Sequence, residues 1–132
     1  MPLATSVRAL HALRRRGLIE AVGLCNVTVG QIEEARRIAS VDAVQVELSL
    51  WHDHNVLSGV VDYCTVNGIP LLAYRPLGGS GHRRRIEADP VLARLAADHA
   101  STPSEIALAA IAGISPVVTP LPGPTRVETA RS

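Results

Sequence analysis

IEAVGLCNVTVGQIEEARRIASVDAVQVEL, residues 19–48, reads as strand, capped helix and strand in direct succession. Ile19–Cys25 is a short apolar run rich in Val and Leu, the pattern of a buried strand. Thr28-Val29-Gly30-Gln31 then sets a hydroxyl at a helix start and an amide three residues on, which is a capping box. The helix it opens is predicted to run to about Ser40, and Val41–Leu48 is strand-like again. A strand joined through a helix to a second strand implies a parallel pair with a right-handed crossover.

Working outward, the same alternation continues on both sides. Leu3, Val7, Leu10 and Leu13 recur at helical spacing, and Gly17 stands where that helix would stop. Arg14, Arg15 and Arg16 fall in its last turn, where cations suit the negative end of the helix dipole, and they read as a solvated helix end. Asn55–Asn67 is predicted helical, with Leu57, Val60, Val61 and Cys64 on one face and Gly68 closing it. Ile69–Tyr74 is a third strand. Arg75–Pro90, rich in Gly and Arg, reads as a loop, and Val91–Ala100 as a helix. Thr102-Pro103-Ser104-Glu105 is a second capping box, with Pro at the first helical position. That helix ends near Gly113; Val117–Leu121 is a fourth strand, and Pro122-Gly123-Pro124 turns the chain into a last helix. The fold class is therefore α/β, with four parallel strands alternating with helices in one domain over residues 1–132. Periodicity leaves open whether the sheet is doubly wound or a barrel segment. No GxGxxG follows the first strand, so a dinucleotide-binding doubly wound fold has no local support.

Composition narrows the function classes. With 47% hydrophobic and 19% charged residues the chain is globular rather than disordered, and a net charge of +1 gives no footprint for nucleic acid or an acidic membrane. Aromatics are confined to Trp51, Tyr63 and Tyr74, so the core is expected to be aliphatic. Cys25 and Cys64 lack metal-ligand spacing and read as two reduced, buried thiols. No apolar run reaches the ~18–20 residues of a membrane span, and Met1–Thr5 lacks a signal-peptide start, so the expected location is the cytoplasm. In His52-Asp53-His54 two imidazoles could share an ion on an extended segment, but no third ligand is near and the reading is a polar loop without metal.

Five stretches, in order, resemble the second half of an aldo-keto reductase. They are residues 16–26 ending Gly23-Leu24-Cys25-Asn26, then Val44-Gln45-Val46-Glu47, Tyr74-Arg75-Pro76-Leu77-Gly78-Gly79, Pro120-Leu121-Pro122-Gly123 and Thr125-Arg126-Val127-Glu128. Two departures stand out: Cys25 replaces the family's Ser before Asn26, and Arg75 replaces the Ser after Tyr74. The resemblance implies a partial (β/α) TIM barrel carrying the fifth to eighth strands of a fold that takes about 250 residues when whole. The family's catalytic Asp, Tyr, Lys and His belong to the first four strands and have no counterpart here. None of His11, His52, His54, His82 or His99 sits where the family's His would be.

The resemblance also implies a cofactor, NADP(H), bound weakly or no longer. Asn26 and Gln45 would hydrogen-bond the nicotinamide carboxamide, beside Cys25, and Tyr74 would stack on the ring. Arg75, Pro76, Leu77 and Gly78 would belong to the same site. Gly123, Thr125 and Arg126 would hold the 2′-phosphate at a helix start. From the residues alone, Gln45 reads as a satisfied polar strand residue and Tyr74 as a strand-end core aromatic. The expected protein is a truncated reductase domain, inactive by itself. It would pair as a homodimer or with a chain supplying the N-terminal half-barrel, and that second pairing would restore NADPH-dependent carbonyl reduction. A non-catalytic nucleotide- or protein-binding module is the other class.

Overall fold

The computed structural model describes residues 2–79 and 81–123. The elements in chain order are α1 (Leu3–Arg15), β1 (Gly23–Cys25), α2 (Val29–Arg36), β2 (Ala43–Glu47), α3 (His54–Leu57), α4 (Val60–Asn67), β3 (Leu71–Tyr74), α5 (Arg83–Ala88), α6 (Pro90–Asp98), α7 (Pro103–Ala112) and β4 (Val118–Leu121). The strands form one parallel sheet in the order β1-β2-β3-β4. Each strand is followed through helix to its neighbour, which is the arrangement of a (β/α) barrel segment.

Both capping boxes form. Gln31 N–H donates to Thr28 Oγ1 at 3.3 Å while Thr28 N–H donates to Gln31 Oε1 at 2.9 Å. Thr102 and Glu105 repeat the exchange at the start of α7. A cap absent from the sequence reading starts α6: the Asp89 carboxylate accepts from Val91 and Leu92 N–H, with Pro90 at the first helical position.

The core lies between the sheet and its helices and is aliphatic, as composition requires. Val44, Val46, Leu71 and Ala73 of the sheet are wholly buried against Ile32 and Ala35 of α2, and against Val61 and Cys64 of α4. Burial and Arg36 act oppositely on Cys64. Burial raises its thiol pKa and is the larger effect; the nearby guanidinium lowers it.

Four expectations need correction. Residues 55–67 are not one helix. Gly59, at φ 79°, breaks them into α3 and α4, a left-handed step that glycine takes without steric cost. The segment 75–90 is not all loop: α5 forms inside it, because Ile86 is wholly buried in a satellite cluster with Leu92 and Ala107. Its neighbours Arg84, Arg85 and Glu87 hide that single anchor from a reading by pattern. The first strand shrinks to Gly23–Cys25, since at Val22 the Asp42 carboxylate takes the N–H at 2.7 Å in place of a strand carbonyl. Arg14 is no solvated helix end: its guanidinium reaches the same carboxylate at 2.8 Å, tying α1 to the base of the sheet. The helix expected after Pro124 lies outside the described residues. Among those described, no helix is long and apolar enough to cross a membrane.

Candidate functional site

Side chains on a strand alternate between faces. The residues between those that meet the helices therefore line the opposite face, the inside of the barrel. Cys25, Gln45, Leu72 and Thr119 stand in register across it, and Glu47, Tyr74 and Leu121 form the next row toward the strand ends. The two rows are about 7 Å apart, at two residues of strand rise. Here Cys25 is exposed, against the expectation that both thiols are buried, because it lies on the face that the helices do not cover; Gln45, Glu47 and Tyr74 are half-buried.

Asn26 follows β1 directly. Its N–H donates to the Gln45 carbonyl at 2.9 Å, which continues the ladder one residue past the strand. Its φ of 52° turns the chain toward α2, a left-handed conformation that Asn tolerates better than most residues. Arg75, after β3, has φ 51° and no such excuse; the turn it starts is closed by Gly78 N–H donating to its carbonyl at 2.8 Å.

A cleft of about 300 Å³ opens at this end of the sheet, lined by Asn26, Glu47, His52, Asn55, Ser58 and Tyr74 among others. Cys25 and Gln45 lie one row deeper and line a separate groove of about 220 Å³ with Gly23, Ala43 and Leu72. Glu47 organises the mouth. Its carboxylate stands 3.7 Å from the Arg75 guanidinium and 3.5 Å from the Tyr74 hydroxyl, and its carbonyl accepts from Asn55 Nδ2 at 2.8 Å.

Of the residues singled out in the sequence, the structure thus brings Asn26 and Tyr74 to one cleft, sets Arg75 beside Glu47, and places Cys25 and Gln45 in the separate groove. Pro76 is buried, and Leu77 packs into the satellite cluster with Ile86. Gly78 is in the left-handed region, with the His82 ring against the place a Cβ would occupy. Gly123 is exposed just beyond β4. Thr125 and Arg126 lie outside the described residues. His52 does not align with His54 on an extended segment: it closes a bridge with Ser49, while His54 begins α3. Among the described residues no three His, Cys, Asp or Glu side chains gather as a metal site. The sequence reading missed Glu47 as a site residue. Its position two after Gln45, hence on the same face, was the available signal.

Two amides at this end of the sheet have no hydrogen-bond partner among the described residues: the side chains of Asn26, in the cleft, and Gln45, in the groove. Either amide can both donate to and accept from a polar ligand group.

Comparison with known proteins identifies the fold and the family. The family described as Aldo/keto reductase family matches residues 1–132. Pyridoxine 4-dehydrogenase of Escherichia coli K12 is 32% identical over 129 residues, 98% of this chain and 43% of that protein. Aldo-keto reductase family 1 member A1 of Rattus norvegicus is 32% identical over 76% of this chain and 33% of its own length. Among solved structures, a thermostable aldo-keto reductase, Tm1743, bound to the inhibitor epalrestat, superposes with a TM-score of 0.85 at 28% identity. The match covers 99% of this chain and 47% of that one. An aldo/keto reductase from Klebsiella pneumoniae, in complex with NADP and acetate, gives 0.86 at 21% identity over the same shares, a likeness of fold. This chain spans less than half the length of these relatives. It carries a partial barrel, and it belongs to the aldo/keto reductase family.

Proposed function

We propose that this chain carries the nicotinamide end of an NADP(H) site of an aldo-keto reductase and none of the groups that protonate the substrate. The carrying observation is that Asn26 and Tyr74 line the cleft at the strand ends and Gln45 the groove one row deeper, with both amides unpartnered among the described residues. NADPH, when bound, supplies a hydride. The chain's own part is to hold the carboxamide through Asn26 and Gln45 and to set the presented ring face against Tyr74, a contact of about 0.5–1.5 kcal/mol beyond area burial. The Cys25 thiol is a poorer partner than a hydroxyl, which weakens the site. Arg75 neutralises Glu47 at the mouth, so the carboxylate does not repel an anionic cofactor. Phosphate recognition is assigned to Gly123, Thr125 and Arg126 from sequence.

Carbonyl reduction also needs an acid within hydrogen-bond reach of the developing alkoxide. Of the two tyrosines, Tyr74 faces the cofactor position, and the Tyr63 hydroxyl accepts from Arg36 at 3.0 Å on the helical exterior. The purified chain is therefore expected not to oxidise NADPH with small aldehydes or ketones; steady turnover would overturn this.

Binding is tested by calorimetric titration. NADP(H) is expected to bind weakly and in preference to NAD(H). Arg126→Ala should reduce NADP(H) affinity alone, because only that cofactor has the 2′-phosphate. Tyr74→Ala should weaken both by up to about tenfold. No heat with either cofactor at millimolar concentration would remove the assignment.

A second reading, completion by the other strands of a barrel, is favoured by the open sheet. β1 pairs only with β2 and β4 only with β3 among the described residues, and open strand edges invite pairing. We propose a second copy or a partner half-barrel as the occupant. A monodisperse monomer at micromolar concentration in sedimentation would exclude the first.

A further inference from the structure

Glu47 meets two residues of the proposed cofactor site at once. Its carboxylate divides between them: Oε2 accepts from the Tyr74 hydroxyl at 3.5 Å, and Oε1 stands 3.7 Å from the Arg75 guanidinium. The backbone beneath is fixed as well. Glu47 and Tyr74 are register partners across β2 and β3, and Asn55 Nδ2 donates to the Glu47 carbonyl at 2.8 Å.

Neighbours along a strand point to opposite faces, so Tyr74 and Arg75 would not ordinarily reach one carboxylate. Here β3 ends at Tyr74, and Arg75 takes φ 51°, a left-handed conformation that costs a residue other than glycine energy. That turn brings the guanidinium to the side on which Glu47 and the phenol lie. The carboxylate is thereby held at both oxygens. Its side chain is only 26% exposed, so these charges are screened less than an open surface pair.

Two torsions place a tyrosine ring: the first swings it, and the second turns it about its own axis in a broad, two-fold well. A tether at the hydroxyl acts on the far end of the side chain, where it limits the swing most. The phenol O–H also prefers the ring plane, through conjugation of its oxygen with the ring, so the direction of the acceptor biases the turn. We propose that Glu47 is a positioning residue: its carboxylate, braced by Arg75, holds the Tyr74 hydroxyl and so fixes the ring for stacking on the nicotinamide. The inference rests on the reading of Tyr74 as the stacking residue. Glu47 itself touches no cofactor and acts through the phenol.

A double-mutant cycle on Glu47→Leu and Tyr74→Phe tests this, since Tyr74→Phe keeps the ring and removes only the tether. Release of Arg75 by Glu47→Leu is common to both backgrounds and cancels. In urea unfolding of the chain without cofactor, Glu47→Leu should raise the unfolding constant about threefold more in the wild-type background than in Tyr74→Phe, the low end for a hydrogen bond. Losses that simply add would overturn the tether, whether or not a cofactor binds. In calorimetric titration with NADPH, a coupling of about threefold should also appear in the dissociation constant, because a loose ring must be ordered on binding. A structural role alone leaves the affinity losses additive; that result, with Tyr74→Ala still weakening binding, would overturn positioning and uphold the stacking reading. No heat with the wild type, or unchanged affinity in Tyr74→Ala, would overturn both. Should Glu47→Leu not fold, Tyr74→Phe serves alone: NADPH should bind about threefold more weakly, and wild-type affinity would overturn the inference.

Discussion

The two faces of the sheet differ although they are made by alternate residues of the same strands. On the helical side Val44, Val46, Leu71 and Ala73 are fully buried and apolar. On the inner side Cys25, Gln45, Glu47 and Tyr74 present a thiol, an amide, a carboxylate and a phenol to the mouth and its groove. Backbone hydrogen bonding is common to both, so the ladder cannot be what separates them. The helices cover one side with close-packed aliphatic groups, and the other side is left for ligands or further strands. Stability and chemistry are thereby assigned to opposite sides of each strand, with a period of two.

The cysteines offer the sharpest way to break that comparison, one on each side. Cys25 is exposed at the inner face, and Cys64 is buried in the helical core with its pKa raised chiefly by desolvation. With a disulfide reagent, Cys25 should react as a free thiol. Cys64 should be slower by about a thousandfold or more, since its labelling waits on opening of the core. Equal rates would show that the faces are not different in kind. The sign of the pH effect follows: a raised folded pKa leaves the Cys64 contribution intact below the ordinary thiol pKa, and that contribution is lost as pH rises through the folded value.

Neighbouring leucines give the next largest contrast. Leu71 points to the helices and is fully buried; Leu72 faces the inner groove. Leu71→Ala should cost about 2–5 kcal/mol in urea unfolding, as cavity formation does. Leu72→Ala should cost under about 1 kcal/mol. A large loss at Leu72 would mean that the inner face is covered in solution, which would sharpen the case for a partner.

Smaller effects belong to the helix starts. Thr28→Ala should cost about 1 kcal/mol by thermal unfolding. Glu105 titrates below the usual carboxylate range because the Thr102 backbone N–H, and secondarily its side chain, bond to it. Its depressed folded pKa means that the benefit holds above the ordinary Glu pKa and fades as pH falls through the folded value. Glu105→Gln should therefore flatten the acid limb of the Tm profile between about pH 5 and pH 3. An unaltered limb would show that this cap carries no charge-dependent stability.

Much of the fold was legible because it is local. The hydroxyl of Thr28 or Thr102 finds its partner three residues on, and an apolar strand flanked by helices can only be parallel. The family motifs marked Asn26, Gln45 and Tyr74, and strand alternation put Gln45 and Glu47 on one side. Short range was also the limit. The sequence alone determined the alternation of four parallel strands with helices, the capping boxes at Thr28 and Thr102, the aliphatic core and the likeness to half a reductase barrel. Tertiary structure decided that Ile86 would draw a charged loop into a helix, that Arg14 would meet Asp42 across 28 residues, and that Trp51 would stack on His82. It also decided that Glu47 would hold Arg75 and Tyr74 at one mouth. Those outcomes depend on which distant surfaces pack together, and neither residue spacing nor local propensity carries that information.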